Sequence, residues 1–282
     1  MAARPGVEVF KHGEKGFPCI RAPSIVSTNS GVLVAFAMCR LYTGDGCKPT
    51  NDYQLPDIIS DPPNAYVCSR RSIDGGQTWS NLSFPFGKKY YSRIGGSVYD
   101  SFNNQILFQS NVYDQSSNET IYQIISTDDG ETWSNPLDIG RLYLGNVGTN
   151  HLIGPGNGLQ LSKSGRILFV AHYENQDPKH NDTADRVWYS DDFGKTYKLS
   201  PSFLQNMDEA TMTELGNGSV MVNMRNKIYT RDMLVDEYKM KDDRVRRTSI
   251  FDSQLNQRQK IMECLGNERK RLSLIKVTKW CK

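Results

Sequence analysis

From Pro23 onward, short apolar runs alternate with clusters of turn-forming residues. Ser24-Ile25-Val26 is followed by the turn Thr28-Asn29-Ser30-Gly31 and then by Val32-Leu33-Val34-Ala35-Phe36-Ala37-Met38, which predicts a β-hairpin. A further strand is predicted from Ala65 to Arg71. The same grammar returns at Ser97–Tyr99, Gln105–Gln109 and Ile121–Ile125, and again at Leu159–Leu161, Ile167–His172 and Arg186–Tyr189. A fourth unit begins at Ala210–Leu215, turns at Gly216-Asn217-Gly218 and continues through Ser219–Met224. No helix is needed before residue 230. Residues 41–64 are rich in Gly, Pro, Asp and Asn, and read as one long excursion between Arg40 and the next strand.

Three strands run into the same motif. Ser72-Ile73-Asp74-Gly75-Gly76-Gln77-Thr78-Trp79 returns as Ser126-Thr127-Asp128-Asp129-Gly130-Glu131-Thr132-Trp133 and as Ser190-Asp191-Asp192-Phe193-Gly194-Lys195-Thr196-Tyr197. Each copy is S-x-D-x-G-x-T followed by an aromatic residue, an Asp-box. Ser and Asp oxygens can accept hydrogen bonds from nearby amides, the fixed Gly tolerates positive φ, and the aromatic ring anchors the turn. The role is structural. Four-stranded units repeating every 50 to 60 residues or so predict an all-β protein, a β-propeller.

After Arg225 the repeat disappears. Residues 231–282 show no Asp-box and no clear strand pair, while Leu255–Leu265 and Glu268–Lys276 look weakly helical and densely charged. The expected organisation is therefore about three and a half blades over residues 10–226, with a divergent basic tail over 227–282. Charge supports the division. Residues 1–225 carry 19 basic and 23 acidic side chains, and residues 226–282 carry 15 and 8. The tail has no nucleic-acid motif and no interleaved aromatics, so a solvated face is expected and no nucleic-acid partner.

The six cysteines, Cys19, Cys39, Cys47, Cys68, Cys264 and Cys281, show neither CxxC nor a compact ligand spacing. Reduced thiols and no metal are expected. No signal peptide and no run of transmembrane length is visible, which predicts a cytoplasmic chain or one truncated at its start. Four N-x-S/T sequons, at Asn81, Asn118, Asn181 and Asn217, would matter only on the secretory path.

Several residues lie at strand ends for no reason of hairpin construction: Arg21 in Ile20-Arg21-Ala22-Pro23, Arg40, Asp61-Pro62-Pro63-Asn64, Asp208-Glu209 and Arg225. In a propeller, the inner strands and the loops of one rim converge on the axis. Arg-x-Pro, the three boxes, Gly154-Pro155-Gly156-Asn157-Gly158-Leu159-Gln160, Asp208-Glu209 leading to Glu214-Leu215-Gly216-Asn217-Gly218-Ser219, and Asn223-Met224-Arg225-Asn226 occur in one order. Together they resemble the exo-α-sialidase (neuraminidase) family of the cellular and bacterial Asp-box type.

The resemblance implies a six-bladed propeller that hydrolyses terminal sialic acids from glycoproteins, oligosaccharides and gangliosides, with neither metal nor cofactor. A sialic acid carries a carboxylate on its anomeric carbon, and arginine's planar fork suits that group. Arg21 and Arg225 match two of the family's three arginines, and Arg40 resembles a further one near the substrate. The family's acid is an aspartate nine or ten residues ahead of an Arg-Arg-Ser. Counting back from Arg70 reaches Asp61, with Asp45, Asp52 and Asp57 as alternatives. Glu209 matches the glutamate that takes the proton of a tyrosine nucleophile, with Glu214 next.

The resemblance also implies a third arginine and the tyrosine itself, both further along the chain. Only Tyr229 and Tyr238 follow Arg225, and neither they nor Arg231, Arg244 and Arg246 sit in a family-like context. An inactive, sialoside-binding or partner-binding chain is the alternative function. An unclosed propeller would expose sheet faces that invite association. Family members are found in lysosomes, at membranes and in the cytoplasm, so the resemblance leaves the compartment open.

Overall fold

The computed structural model describes residues 6–43, 47, 64–113, 119–145, 151–154, 156–174, 183–200, 207–226, 235–241 and 244–249. They form four sheets. The first is β1 (Cys19–Ser27), β2 (Leu33–Arg40) and β3 (Ala65–Ser72), with an edge bridge between Ser69 and Ser83. The second holds β4 (Tyr91–Asp100), β5 (Gln105–Tyr113), β6 (Glu119–Ser126) and β7 (Leu137–Asp138). The third contains β8 (His151–Ile153), β10 (Leu159–Gln160), β11 (Ile167–Glu174), β12 (Thr183–Ser190) and β13 (Lys198–Leu199). Between its first two strands, β9 (Gly156–Asn157) leaves to pair in parallel with β4 of the second sheet.

The fourth sheet is β14 (Met207–Glu214), β15 (Val220–Asn226), β16 (Val235–Lys241) and β17 (Arg244–Ser249). Here the structure corrects the expectation of no strand pair beyond residue 231. The last two strands complete a four-stranded unit past residue 226. Their sequences, VDEYKMK and RVRRTS, carry too many charges for a clean period-2 apolar pattern. The helical stretches expected after residue 255 lie outside the described residues.

The core lies between successive sheets. Val34, Phe36 and Val67 of the first meet Ile106, Phe108 and Ile124 of the second, with Phe36 and Phe108 stacked at 4.4 Å between centroids. Val98, Leu107 and Ile121 meet Phe169, Trp188 and Tyr197. Leu168, Val170 and Tyr189 meet Ala210, Met212 and Val222. This face-to-face stacking of small antiparallel sheets is the β-propeller arrangement.

The boxes have one hydrogen-bond scheme. In the first, Ser72 Oγ donates to Asp74 Oδ1 at 2.7 Å and accepts from the Gly76 amide at 2.8 Å, while the Thr78 amide donates to Asp74 Oδ1 at 2.9 Å. Ser126, Asp128, Gly130 and Thr132 repeat it, as do Ser190, Asp192, Gly194 and Thr196. The Gly positions have φ of 89°, 79° and 88°, a region that L-residues other than glycine rarely adopt.

The second and third boxes also dock on the preceding sheet. Asp129 accepts from Ser30 and, through its carbonyl, from Arg71, whereas Phe193 packs on Phe102 and its carbonyl accepts from Gln105. In the first box the matching residue is Gly75, where an added Cβ would meet nothing within 4 Å.

Two disulfides, Cys19–Cys47 and Cys39–Cys68, replace the reduced thiols expected from spacing alone. Separations of 28 and 29 residues carry no local signature. The antiparallel register brings the second pair together: Cys68 lies opposite Ala37, and Cys39 is two residues further along the same face. Cys264 and Cys281 lie outside the described residues.

Candidate active site

The strand registers sort the chain into two rims. Cys19 pairs with Arg40 and Arg40 with Ala65, whereas Ser27 pairs with Leu33 and Leu33 with Ser72. Arg21 and Arg40 are therefore on one rim and the first box on the other. The box rim is continuous around the four sheets. Asn29 reaches the Ser101 carbonyl, Gln160 accepts from Ser101, and Glu214 accepts from the Ser162 amide.

Towards the opposite rim, the leading strand of three sheets breaks register. The shifts fall between Arg21 and Ser24 in β1, Ser92 and Gly95 in β4, and Met207 and Ala210 in β14. A β-bulge bends its strand and re-aims the side chains there. Ala22, inside the first bulge, has φ of 53°.

These bulges carry chemistry-bearing residues. Arg21 begins the first, Arg93 lies in the second, and Asp208-Glu209 lies in the last. Arg21 and Arg40 share one face of the first sheet, because Arg21 pairs with Met38 and Met38 alternates with Arg40. Arg40 is buried, with its guanidinium carbon 5.2 Å from the centre of the Tyr42 ring. Cys19, the partner of Arg40 across the ladder, is on that face too, so the Cys19–Cys47 bridge is anchored beside both arginines.

Glu209 is partly buried on β14, and the backbone of Arg225 on β15 is level with the same bulge, next to Asn226, which pairs with Met207. Glu214 is at the far end of β14, on the box rim, where it accepts from Ser162; this separates it from Glu209. Asp61, Asp45, Asp52 and Asp57 lie outside the described residues, as do Tyr229 and Arg231.

Sequence reasoning overlooked one cluster on this rim. Arg93 Nε donates to Tyr113 Oη at 2.7 Å, Tyr113 donates to Glu119 Oε2 at 2.9 Å, and Arg93 pairs with Glu119 at 3.3 Å. Burial first, then the Glu119 carboxylate, pushes the Tyr113 phenol well above its ordinary value. The three residues come from three strands, so no local motif announces them. The available signal was positional: Arg93 follows the Asp-box strand at the start of the next leading strand, as Arg21 begins the first.

Gly158 packs between the second and third sheets. A Cβ at Gly158 would lie 2.5 Å from Val98 Cγ2 and 2.7 Å from the Leu168 carbonyl, so only glycine permits this approach. Beside it, Asn157 donates to the Ile25 carbonyl at 2.8 Å and accepts from Ser97 at 3.0 Å. Asn157 thus ties the leading strands of the first two sheets together.

Among the described residues no group of three or more His, Cys, Asp or Glu side chains could hold a metal ion. No described helix is long and apolar enough to cross a membrane.

Comparison with known proteins places this architecture. The BNR/Asp-box repeat family model matches residues 124–135. The chain is 27% identical to the exo-alpha-sialidase of Arthroderma benhamiae, over 61% of this chain and 45% of that protein. It is 26% identical to the sialidase of Bacteroides fragilis, over 79% of this chain and 42% of that one. Among solved structures, the Hadza microbial sialidase Hz136 superposes with a TM-score of 0.70 at 20% identity, covering 86% of this chain and 48% of its own. Trypanosoma rangeli sialidase in complex with sialic acid gives 0.60 at 17%, covering 81% and 37%. The fold is thus the sialidase-type β-propeller. The chain spans less than half the length of these two curated relatives.

Proposed function

We infer that this chain, a member of the Asp-box sialidase family, contributes the first part of an exo-α-sialidase active site that hydrolyses terminal sialic acids from glycoproteins, oligosaccharides and gangliosides. The observation that supports the reading is that Arg21, at the bulge of β1, and Glu209, at the bulge of β14, both lie at register breaks on the rim opposite the boxes. Arg21 and Arg225 bind the sialic acid carboxylate through forked, permanently charged donors, with Arg40 adding positive charge beside Arg21. Asp61 protonates the leaving glycosidic oxygen as the anomeric C–O bond breaks. Glu209 accepts the proton of a tyrosine nucleophile, which avoids the repulsion a carboxylate nucleophile would meet beside the substrate's own carboxylate.

No tyrosine of this chain is assigned as that nucleophile. This favours a second reading, in which the chain by itself binds sialosides or a protein partner without turning sialosides over. A fluorogenic α-sialoside separates the two. Turnover by the purified chain that is lost in Glu209→Ala supports hydrolysis; saturable binding without turnover, weakened in Arg21→Ala, supports the second reading. Neither turnover nor binding rejects both.

A further inference from the structure

The two described sequons share a location that their sequence positions, 136 residues apart, do not announce. Asn81 is exposed just beyond the first box, between Ser80, whose amide donates to the Arg71 carbonyl, and Ser83, which pairs with Ser69. Asn217 is exposed at the tip of the turn joining β14 to β15, closed by the Leu215 amide on the Ser219 carbonyl and the Gly218 amide on the Leu215 carbonyl. Both are on the box rim. Glu209 and the bulges are towards the other ends of the strands, with about 17 Å of strand between Glu209 and Glu214 at the box end of β14. Bulky groups on both asparagines would cover turns and leave the candidate site open.

The local chemistry suits the modification. Asn217 is exposed, and its Oδ1 accepts from the Ser219 amide at 2.9 Å, a contact that engages the oxygen and not Nδ2. A sugar on Nδ2 leaves that hydrogen bond intact. An independent observation points to the compartment in which such transfer occurs: Cys19–Cys47 and Cys39–Cys68 are both closed, and paired cysteines form and persist in oxidising, secretory environments.

We propose that Asn81 and Asn217 are N-glycosylation sites and that the chain matures in an oxidising secretory compartment. The co-reactant is a lipid-pyrophosphate-linked oligosaccharide. The amide Nδ2 attacks the sugar's anomeric carbon, the new C–N bond replaces the C–O bond to pyrophosphate, the lipid pyrophosphate leaves with the bonding electron pair, and Nδ2 gives up one proton. No redox partner is needed. Asn118 and Asn181 lie outside the described residues and are not part of the proposal.

The test uses the full chain isolated from its native source. Peptide-N-glycosidase digestion in ¹⁸O-labelled water converts a glycan-bearing asparagine into labelled aspartate, which peptide mass spectrometry reads position by position. Labelled conversion at 81 and 217, with Cys19–Cys47 and Cys39–Cys68 recovered as linked peptides, is the expected result. Unlabelled asparagine at either position overturns the assignment there, and alkylated, unlinked cysteines overturn the compartment. As a second measurement, the chain directed into the secretory path of a eukaryotic host should lose one glycosidase-sensitive gel step in Asn81→Gln and one in Asn217→Gln. Unchanged mobility in both variants overturns the proposal. Sialoside turnover plays no part in either readout, so the outcome is independent of the proposed activity.

Discussion

Trp188 Nε1 donates a hydrogen bond of 2.9 Å to Gln109 Oε1, joining the third sheet to the second through two side chains with no exposed surface. The pair belongs to a buried chain of polar groups. Gln109 donates to Gln123 at 2.9 Å, Gln123 donates to the Gly194 carbonyl at 2.9 Å, and the Tyr197 hydroxyl donates to Gln123. Burial raises the Tyr197 phenol's pKa far beyond its ordinary value, so it stays a donor at any working pH. The third box is fastened to the neighbouring sheet by this network, not by apolar packing alone.

Gln109→Leu removes both the acceptor of Trp188 and the donor to Gln123. Each buried group left unsatisfied costs about 1–3 kcal/mol. Urea unfolding should show a lower midpoint in Gln109→Leu. Trp188→Phe together with Gln109→Leu should cost less than the sum of the two single changes, because with phenylalanine at 188 there is no indole N–H for the second change to strand. Strict additivity would show that the two residues do not interact.

The boxes make stability sensitive to acid. Burial raises the Asp128 carboxyl, but the Thr132 hydroxyl and amide and the Ser126 hydroxyl outweigh it and bring the pKa from 3.8 to about 2. In Asp74 the dominant cause, the Thr78 hydroxyl, acts in the same lowering direction. A folded-state pKa below the unfolded one stabilises fully above the unfolded value and is lost as pH falls through the folded one. Melting temperature should therefore decline between about pH 4 and pH 2. Asp128→Asn should be less stable at pH 6 and should show a shallower decline in that window; an unchanged slope would remove Asp128 from the account.

Gly158→Ala places a methyl group where Val98 and the Leu168 carbonyl already stand, at 2.5 Å and 2.7 Å. A backbone oxygen cannot turn aside as a flexible side chain can, so the strands must part. A destabilisation of about 1–3 kcal/mol is expected. Gly31→Ala is a control for backbone strain alone, since it has φ of 85° and open space around it. Greater loss in Gly158→Ala than in Gly31→Ala identifies the close approach as the cause.

Arg21→Lys tests the proposed carboxylate contact. Lysine keeps the charge and loses the planar fork, and a hydrogen bond to a charged group contributes about 1.5–3 kcal/mol. Sialoside affinity measured by calorimetry should fall by about tenfold or more while the melting temperature changes little. Equal affinity in wild type and Arg21→Lys would place Arg21 outside the site.

Local signals in this chain were legible because they arise from neighbours in sequence. Ser, Asp, Gly and Thr at fixed offsets make the box, and apolar runs ending at Gly or Asn make the hairpins. The all-β propeller architecture followed from their repetition. The strands at 235–241 and 244–249 did not, since charge density hides their alternation and only the pairing of β15 with β16 and of β16 with β17 makes them strands.

Side-chain convergence depended on the tertiary structure. Arg93, Tyr113 and Glu119 belong to three strands, and Cys39 reaches Cys68 only through the register of β2 on β3. The bulges that hold Arg21, Arg93 and Glu209 towards one rim are likewise properties of strand pairs. Sequence by itself determined which residues bend, turn and cap. Which residues meet was decided by long-range register, because a slip of one residue would carry every side chain of a strand to its opposite face.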